Sequence, residues 1–389
     1  MKTDKIDFNK IFVSYIYGYC ALPFVAYALF ALPIYLGIPL AAMAVVALVV
    51  CVRESSLKFD WLAEEGRNTL VLACVDLTAV LWVILASRVW TNAMGGVSYF
   101  IPRVVYAVLG LEIVFILLGT KRGVLSLWPC WLLVLFSGLD IVGSGFFRED
   151  AMKIFSLDLL EGWTMDVQFW GLTTQLFFGF NQAVFAWIAV MLMLVENNKK
   201  LMVFSVACLM MFSTFPILGL LPLVAIVWLK DRNYNLKAWL LLALSLVIMA
   251  LAVIKRPSPL FMTGIQADSG FASLIVSAPS FGAKFMIWAF VEFLVFVAFV
   301  YRYEKHNLLL YVAVAELLVI PIGAYAAHHE YWASAISMPL IFLIYVMVVE
   351  AMPKLVKDKR WIILVLLSLT LVLGAVTPAH ELAGSLNLF

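Results

Sequence analysis

The sequence predicts an all-α protein, a polytopic bundle of about 11–13 transmembrane helices with an amphipathic helix on its outer face. Of its 389 residues, 65% are hydrophobic and only 13% are charged, and the mean hydropathy is +1.05. A water-soluble domain of this length cannot bury so much apolar surface, because its exterior must stay polar. The net charge of +2 gives no reason to expect a nucleic-acid partner. We therefore expect the protein to lie in a lipid bilayer.

Most of the apolar runs have the length of a membrane span, which needs about 20 residues. In the first half, spans are predicted near 11–31, 33–52, 68–88, 104–119, 124–143 and 169–195. In the second half, they are predicted near 238–254, 283–302, 307–326, 333–351 and 361–379. With no obvious internal repeat and no linker, residues 1–389 are predicted to form a single integral membrane domain.

Segment 201–229 is too long for one span and too short for two, and Pro216 and Pro222 interrupt it. Basic residues collect in cytoplasmic loops. All basic loops of this chain lie on one side only if the segment enters and leaves by the same face. We therefore predict a hairpin of two short helices with its tip near Ser213 to Pro216. One long tilted helix is the alternative.

The same rule places the N-terminus in the cytoplasm, where it serves as an uncleaved signal anchor. The predicted outer loops are then 144–168, 255–282 and 327–332. Loop 144–168 is rich in acids, with apolar residues interleaved, which is typical of an amphipathic helix at the interface. Its carboxylates are either the hydrated face of that helix or a general base or cation ligand.

A polar stripe leads inward from this loop: Gln168, Gln175 and Gln182 recur at intervals of seven, with Gly179 among them. On one helix these positions share a face. The amides either join neighbouring helices or bind a hydroxyl-rich ligand.

Acidic residues also fall within the predicted spans. A charge at the bilayer centre costs about 2.5–3.5 kcal/mol, so such residues are functional by default. Asp140 closes the string Phe136–Asp140 at the outer end of its span. The other acids lie nearer mid-span, where they are either functional or protonated and simply hydrogen-bonded: Asp76, Glu112, Glu292 and Glu316.

Two basic features belong to the predicted outer face. Arg103 stands at the mouth of one span and Lys255-Arg256 at another; these cations either hold a lipid-linked phosphate or anchor helices by snorkelling. The sequence His328-His329-Glu330 lies in a short outer loop and is either a proton-transfer site or a polar interfacial turn.

These features together resemble the GT-C superfamily of membrane glycosyltransferases, which includes O-antigen polymerases and ligases acting on polyprenyl-linked sugars. The strings Phe136–Asp140 (FSGLD) and Phe180–Trp187 (FNQAVFAW) are similar to segments of bacterial envelope proteins of this kind. The resemblance covers the architecture along most of the chain, through short motifs. It implies a multi-pass protein of the bacterial inner membrane, engaged in cell-envelope polysaccharide synthesis.

The resemblance also implies roles for individual residues. GT-C enzymes usually carry the catalytic acid in the first outer loop, but here that loop is only the turn Ala31–Pro33. The catalytic candidates are therefore Asp140, Glu149, Asp150, His328 and His329. The substrate-binding candidates are Arg103, Arg148, Gln168, Gln175, Gln182, Lys255 and Arg256. The expected partners are a lipid-linked sugar or polyprenyl phosphate and envelope-assembly proteins; no metal ligands are assigned, and a divalent cation is the one cofactor considered.

An ion-coupled transporter or lipid-linked-sugar flippase is the alternative function. The acids at mid-span and the broken segment 201–229 favour it, because carriers use interrupted helices and buried carboxylates at their midplane site. No second broken segment matching the first is evident in the sequence. A scaffold subunit of an envelope-polymer assembly is a third hypothesis.

Overall fold

The computed structural model describes residues 7–59, 61, 67–91, 97–136, 171–178, 180–231, 235–255, 289–326, 330–377 and 379–380. Within these ranges every regular element is a helix. The prediction of an all-α protein is confirmed.

The described helices occur in the following order along the chain. The first half contains α1 (Phe8–Ala31), α2 (Ile34–Glu54), α3 (Arg67–Thr91), α4 (Val97–Arg122), α5 (Trp128–Leu135), α6 (Leu172–Phe178) and α7 (Phe180–Val195). The second half contains α8 (Lys199–Leu209), α9 (Thr214–Lys230), α10 (Leu236–Lys255), a π-helical turn (Phe290–Leu294) continuing into α11 (Val295–Glu304), α12 (Leu308–Ala326), α13 (Glu330–Lys357) and α14 (Trp361–Gly374).

Four of the described helices are long and apolar enough to cross a membrane: α1, α2, α10 over Leu236–Ile254, and α13 over Ser334–Lys357. Large apolar side chains stand on the exterior, among them Ile34 on α2 and Ile362 on α14, which are 75% and 79% exposed. Contiguous apolar surface of this kind is unfavourable in water but not in lipid. These observations agree with a membrane protein.

Helix α13 and the pair α8–α9 occupy the centre of the bundle. In α13, 78% of the apolar window is buried, against 28% in α2, which lies at the periphery. Every residue of α8 from Leu201 to Leu209 is buried, with α1, α7, α9 and α10 packed around it. Helix α9 packs against α13.

Helices α8 and α9 form a hairpin. Lys200, at the start of α8, donates through Nζ to Asn235 Oδ1 at 3.2 Å, and α9 ends only five residues before Asn235. A few residues of chain cannot cross the bundle, so both ends of the pair lie on one side. The turn comprises residues 210–213, slightly earlier than the predicted tip at Ser213 to Pro216. Pro216 instead lies in the first turn of α9, where a missing N–H is tolerated.

Ion pairs and hydrogen bonds join distant basic segments at this same side, here called the basic end. Lys237 pairs with Glu54 at 2.9 Å, and Lys121 pairs with Glu350 at 3.6 Å. Both pairs link helices far apart in sequence, so α2, α4, α10 and α13 present their charged ends together.

Two predicted spans differ from the structure because their helices are interrupted. In place of a helix over 124–143, α5 ends at Leu135, and Phe136 has non-helical dihedral angles of −90° and 69°. In place of a helix over 169–195, α6 ends at Phe178 and α7 begins at Phe180. Continuous apolarity predicts where the chain is buried, but not where its backbone leaves the helix.

One close helix crossing joins α9 to α13. A β-carbon built on Gly219 would lie 2.2 Å from the carbonyl oxygen of Ile336 and 2.6 Å from its Cγ2 atom. Because the first of these atoms belongs to the backbone, the two helices approach this closely only with glycine at position 219.

We therefore expect Gly219→Ala to separate α9 from α13 and to lower the free energy of unfolding by about 1–3 kcal/mol. Gly18→Ala is the matched control, because nothing lies within 4 Å of a β-carbon there and alanine favours the helix by up to about 1 kcal/mol. Unfolding of the purified variants in one detergent measures both effects. Equal stability of the two variants would contradict the packing described.

Candidate functional site

Most of the predicted site residues lie outside the described residues: Asp140, Arg148, Glu149, Asp150, Gln168, Arg256, His328 and His329. Arg103 lies in α4 and Lys255 is the last residue of α10, each described by its backbone alone. Gln175 and Gln182 are described with their side chains. The structure thus describes the part of the bundle that adjoins the predicted site, with the side chains of these two candidates.

The first feature of this part of the bundle is the interruption of the helix after α5. The backbone N–H of Leu172 donates to the carbonyl oxygen of Phe136 at 3.0 Å. The Phe136 ring is fully packed, stacked on Phe296 with centroids 4.0 Å apart and edge-on to Tyr345. Phe136 and Leu172 are therefore adjacent in the core, although 35 residues separate them in the sequence.

The second break separates α6 from α7. Trp187 Nε1 donates to Gln175 Oε1 at 3.0 Å, and both side chains are completely buried. In one straight helix, positions 175 and 187 would lie about 18 Å apart along the axis, beyond the reach of the two side chains. Gln175 and Gln182 therefore do not lie on one straight helix, as the predicted column of amides requires, because α6 and α7 are not collinear. Gln175 joins α6 to α7 in this structure.

The third break is the tip of the α8–α9 hairpin. Ser213 Oγ donates to the carbonyl oxygen of Gln182 at 2.6 Å, so the tip contacts the beginning of α7. Gln182 is thirteen residues from the end of α7, about 20 Å along the helix. The tip thus lies deep in the bundle, well away from the basic end.

An aromatic cluster surrounds this tip. Tyr19 and Tyr106 stack with centroids 4.3 Å apart, and each hydroxyl donates to the other residue's carbonyl oxygen at 2.8 Å. Phe185 stacks on Phe212 of the tip at 5.1 Å. Phe212 remains 37% exposed, so the cluster leads from the core to an open surface at the tip.

The three breaks together are called the break region: Phe136 with Leu172, the α6–α7 junction, and residues 210–213. Non-helical backbone at membrane depth is tolerated only where it is buried in protein or lines a water-filled cavity. Broken helices form binding sites in membrane proteins. The break region is therefore the candidate functional site of the described chain.

Two of the acids within the predicted spans lie near one another. Tyr15 donates to Glu112 Oε2 at 3.1 Å, and Asp76 lies close enough for its charge to act on Glu112. Within the described part of the chain, Asp76 Oδ1 and Glu316 Oε1 are buried without a hydrogen-bond partner. Glu292 lies in the π-helical turn Phe290–Leu294. Such turns frequently occur at functional sites.

Glu196, which the sequence analysis missed, is the most heavily bonded carboxylate described. It follows α7 at the basic end and is completely buried. Its Oε2 atom accepts from Tyr17 at 2.6 Å and Ser55 at 2.8 Å. Its Oε1 atom accepts from the backbone N–H of Ser56 at 3.1 Å, from the Ser56 hydroxyl, and from the N–H of Asn198 at 2.8 Å.

These bonds tie α1, the chain after α2 and the start of the α8–α9 hairpin to one carboxylate. Lys199 completes the junction by donating to the carbonyl oxygens of Glu196 and of Met193, and burial lowers the pKa of Lys199. The available signal was a lone acid directly after a long apolar run, Glu196 before Asn197-Asn198-Lys199-Lys200. Glu196 holds the fold together rather than contacting the break region.

The described residues contain no group of three or more His, Cys, Asp or Glu side chains that could hold a metal ion. The five cysteines are unpaired thiols, four of them buried. The divalent cation considered from the sequence thus finds no ligand set within the described ranges.

Comparisons with protein-family models, with curated proteins and with solved structures find no match to this chain.

Replacing the Glu196 carboxylate tests its structural role. Glu196→Gln substitutes a donor for one acceptor oxygen while the surrounding groups remain donors, so we expect it to cost about 2–3 kcal/mol of stability. Glu54→Gln is the control; its ion pair with Lys237 is solvent-exposed and contributes less than about 1 kcal/mol. Chemical unfolding in detergent compares the two. A loss at Glu196 no greater than that at Glu54 contradicts the assignment.

Proposed function

We propose that this chain is a membrane glycosyltransferase that transfers sugars carried on polyprenyl phosphate at the outer face of a bacterial inner membrane. The product belongs to cell-envelope polysaccharide synthesis. Such a reaction needs a hollow that admits a prenyl chain from the lipid and an acceptor from water. The break region supports the presence of such a hollow, because three helix interruptions lie within an apolar bundle.

The observation that carries the proposal is the hydrogen bond from Leu172 N–H to the Phe136 carbonyl at 3.0 Å. It joins the two ends of the segment that contains Asp140, Glu149 and Asp150. These three catalytic candidates are thereby attached to the break region through both ends of their own segment. The string FSGLD begins at this bond, and the string FNQAVFAW begins at the neighbouring junction.

In the proposed reaction, Asp140 or a neighbouring acid takes the proton from the acceptor hydroxyl as that oxygen attacks the sugar carbon. The bond from that carbon to the carrier phosphate oxygen breaks, and the phosphate leaves with its negative charge. Lys255 and Arg256 stabilise this charge, the usual main electrostatic contribution in such chemistry. The exposed face of Phe212 stands where a sugar ring or prenyl chain could pack.

The proposal includes the topology predicted from the basic loops: a cytoplasmic N-terminus, about 11–13 spans and an outer-face amphipathic helix. The carrier, the surrounding bilayer and envelope-assembly proteins are the proposed partners. At one end of the bundle, Glu54 pairs with Lys237 and Lys121 pairs with Glu350. These two pairs are consistent with this topology.

A transporter or lipid-linked-sugar flippase is the second candidate. The specific observation that favours it is the group formed by Tyr15, Glu112 and Asp76 inside the bundle. Unpaired acids within spans are typical of ion-coupled carriers, and the buried α8–α9 hairpin suits a discontinuous binding site. In this case the acids of α3 and α4 would bind the coupling ion.

The two functions predict opposite results for two sets of variants. We expect Asp140→Asn to reduce sugar transfer by about 10²–10⁴-fold, the usual contribution of a general base. We expect Asp76→Asn to change transfer by only a few-fold. The measurement is transfer of labelled sugar from a polyprenyl-linked donor by purified protein in proteoliposomes, with equal amounts of folded protein.

Glu149→Gln and Arg256→Ala extend the series across the other proposed roles. Full transfer by Asp140→Asn, Glu149→Gln and Arg256→Ala would exclude the transferase assignment. If the same preparations move a lipid-linked sugar between leaflets, and Asp76→Asn or Glu112→Gln abolishes that movement, the flippase assignment replaces it.

A further inference from the structure

One corner of the basic end concentrates positive charge. Six exposed cations meet where the end of α11 adjoins the turn between α13 and α14: Arg302, Lys305, Lys354, Lys357, Lys359 and Arg360. Tyr303 joins the two segments, since its hydroxyl donates to Asp358 Oδ2 at 2.8 Å and its ring lies 5.8 Å from Lys354 Nζ. These residues are called the basic corner.

The acids nearby do not neutralise the basic corner. Asp358 accepts the hydroxyl of Tyr303, and Glu304 accepts from Asn307 Nδ2 at 2.8 Å. Glu350 also lies near Lys354, but it pairs with Lys121 at 3.6 Å. The six cations and the other two carboxylates therefore leave a net charge of +4, although the whole chain carries only +2. The excess charge is therefore a local property of this corner.

The backbone at Lys359 gives an independent reason to regard the charge as functional. Lys359 has a φ of +51°, in the left-handed region where glycine is favoured and a β-carbon is disfavoured. The Arg360 N–H donates to the Leu355 carbonyl at 3.1 Å, and the Lys359 N–H donates to the Val356 carbonyl at 3.1 Å. This is the helix ending in which glycine is usual, yet the chain has a lysine there.

Apolar side chains border the cations directly. Trp361 and Ile362, the first residues of α14, are 61% and 79% exposed. Tryptophan collects at the level of lipid headgroups, with apolar residues beyond it in the hydrocarbon. The basic corner therefore lies where a phosphate group and an acyl chain of one lipid would each meet a suitable surface.

We propose that the basic corner is a binding site for the phosphate headgroup of an anionic phospholipid in the adjoining leaflet. Lys357, Lys359 and Arg360 contact the phosphate, and the acyl chains lie along Trp361 and Ile362. Clusters of four to eight cations beside a membrane helix recognise anionic lipid in this way. The proposal is independent of the proposed function.

The test uses the full-length purified protein in nanodiscs of phosphatidylcholine with increasing amounts of phosphatidylglycerol. Retained phosphatidylglycerol is measured by native mass spectrometry after mild delipidation. Each Lys or Arg that contacts the anionic lipid contributes about fivefold in affinity. We therefore expect the triple variant K357Q/K359G/R360Q to bind about a hundredfold more weakly.

The matched control is R53Q/K58Q/K230Q, which removes three exposed cations elsewhere in the chain; we expect a change of at most a few-fold. The single variant K359G separates folding from binding. In phosphatidylcholine alone it should melt at or above the wild-type temperature, because glycine relieves the strained turn, while its affinity for phosphatidylglycerol falls about fivefold.

Three results would overturn the proposal: equal losses in the two triple variants, unchanged lipid affinity in K359G, or displacement of the lipid by millimolar inorganic phosphate. Equal losses in the two triple variants would show diffuse attraction to the bilayer. Displacement by inorganic phosphate would show a site for a soluble anion. A melting temperature of K359G below that of the wild type in phosphatidylcholine would contradict the argument that lysine strains the turn.

Discussion

The fold depends on satisfying backbone polar groups where helices are interrupted inside an apolar bundle. Lipid offers no hydrogen bonds, so an open N–H or carbonyl at that depth costs several kcal/mol. Phe136 meets this constraint through Leu172, and the N–H groups of the hairpin tip, residues 210–213, meet it by donating to carbonyl oxygens at the end of α8. Buried Gln175 and Trp187 hold the two helices on either side of the remaining break. The interruptions are thus built into the packing.

The basic end fixes the other end of the central hairpin. Glu196 collects donors from α1, from the chain after α2 and from the start of α8, which fixes the base of the central hairpin while the break region holds its tip. Glycine at position 219 lets the second arm of the hairpin approach α13. A rigid frame of this kind leaves the open side of the tip, at Phe212, as the place where a ligand can enter. Both candidate functions require such a place.

Much of this architecture was predictable from the sequence. Apolarity predicted helices and their burial, and basic loops together with Pro216 and Pro222 predicted a hairpin in 201–229. The ends of α5 and α6 were not predictable, because a helix interruption inside an apolar run leaves no trace in hydropathy. Gln175 was chosen by its spacing from Gln168 and Gln182, and that spacing assumed one straight helix. Glu196 was overlooked because its partners, Tyr17 and Ser55, are far from it in sequence.

The most direct test of the account is the access of water to the hairpin tip. Phe212→Cys and Leu246→Cys place thiols at comparable depth, at positions that are 37% and 57% exposed. In membranes, we expect a charged thiol reagent to modify Phe212→Cys quickly, through a water-filled hollow at the break region, and to spare Leu246→Cys, which faces lipid. If both thiols are inert while the denatured proteins react fully, the break region is closed to water and the account is contradicted.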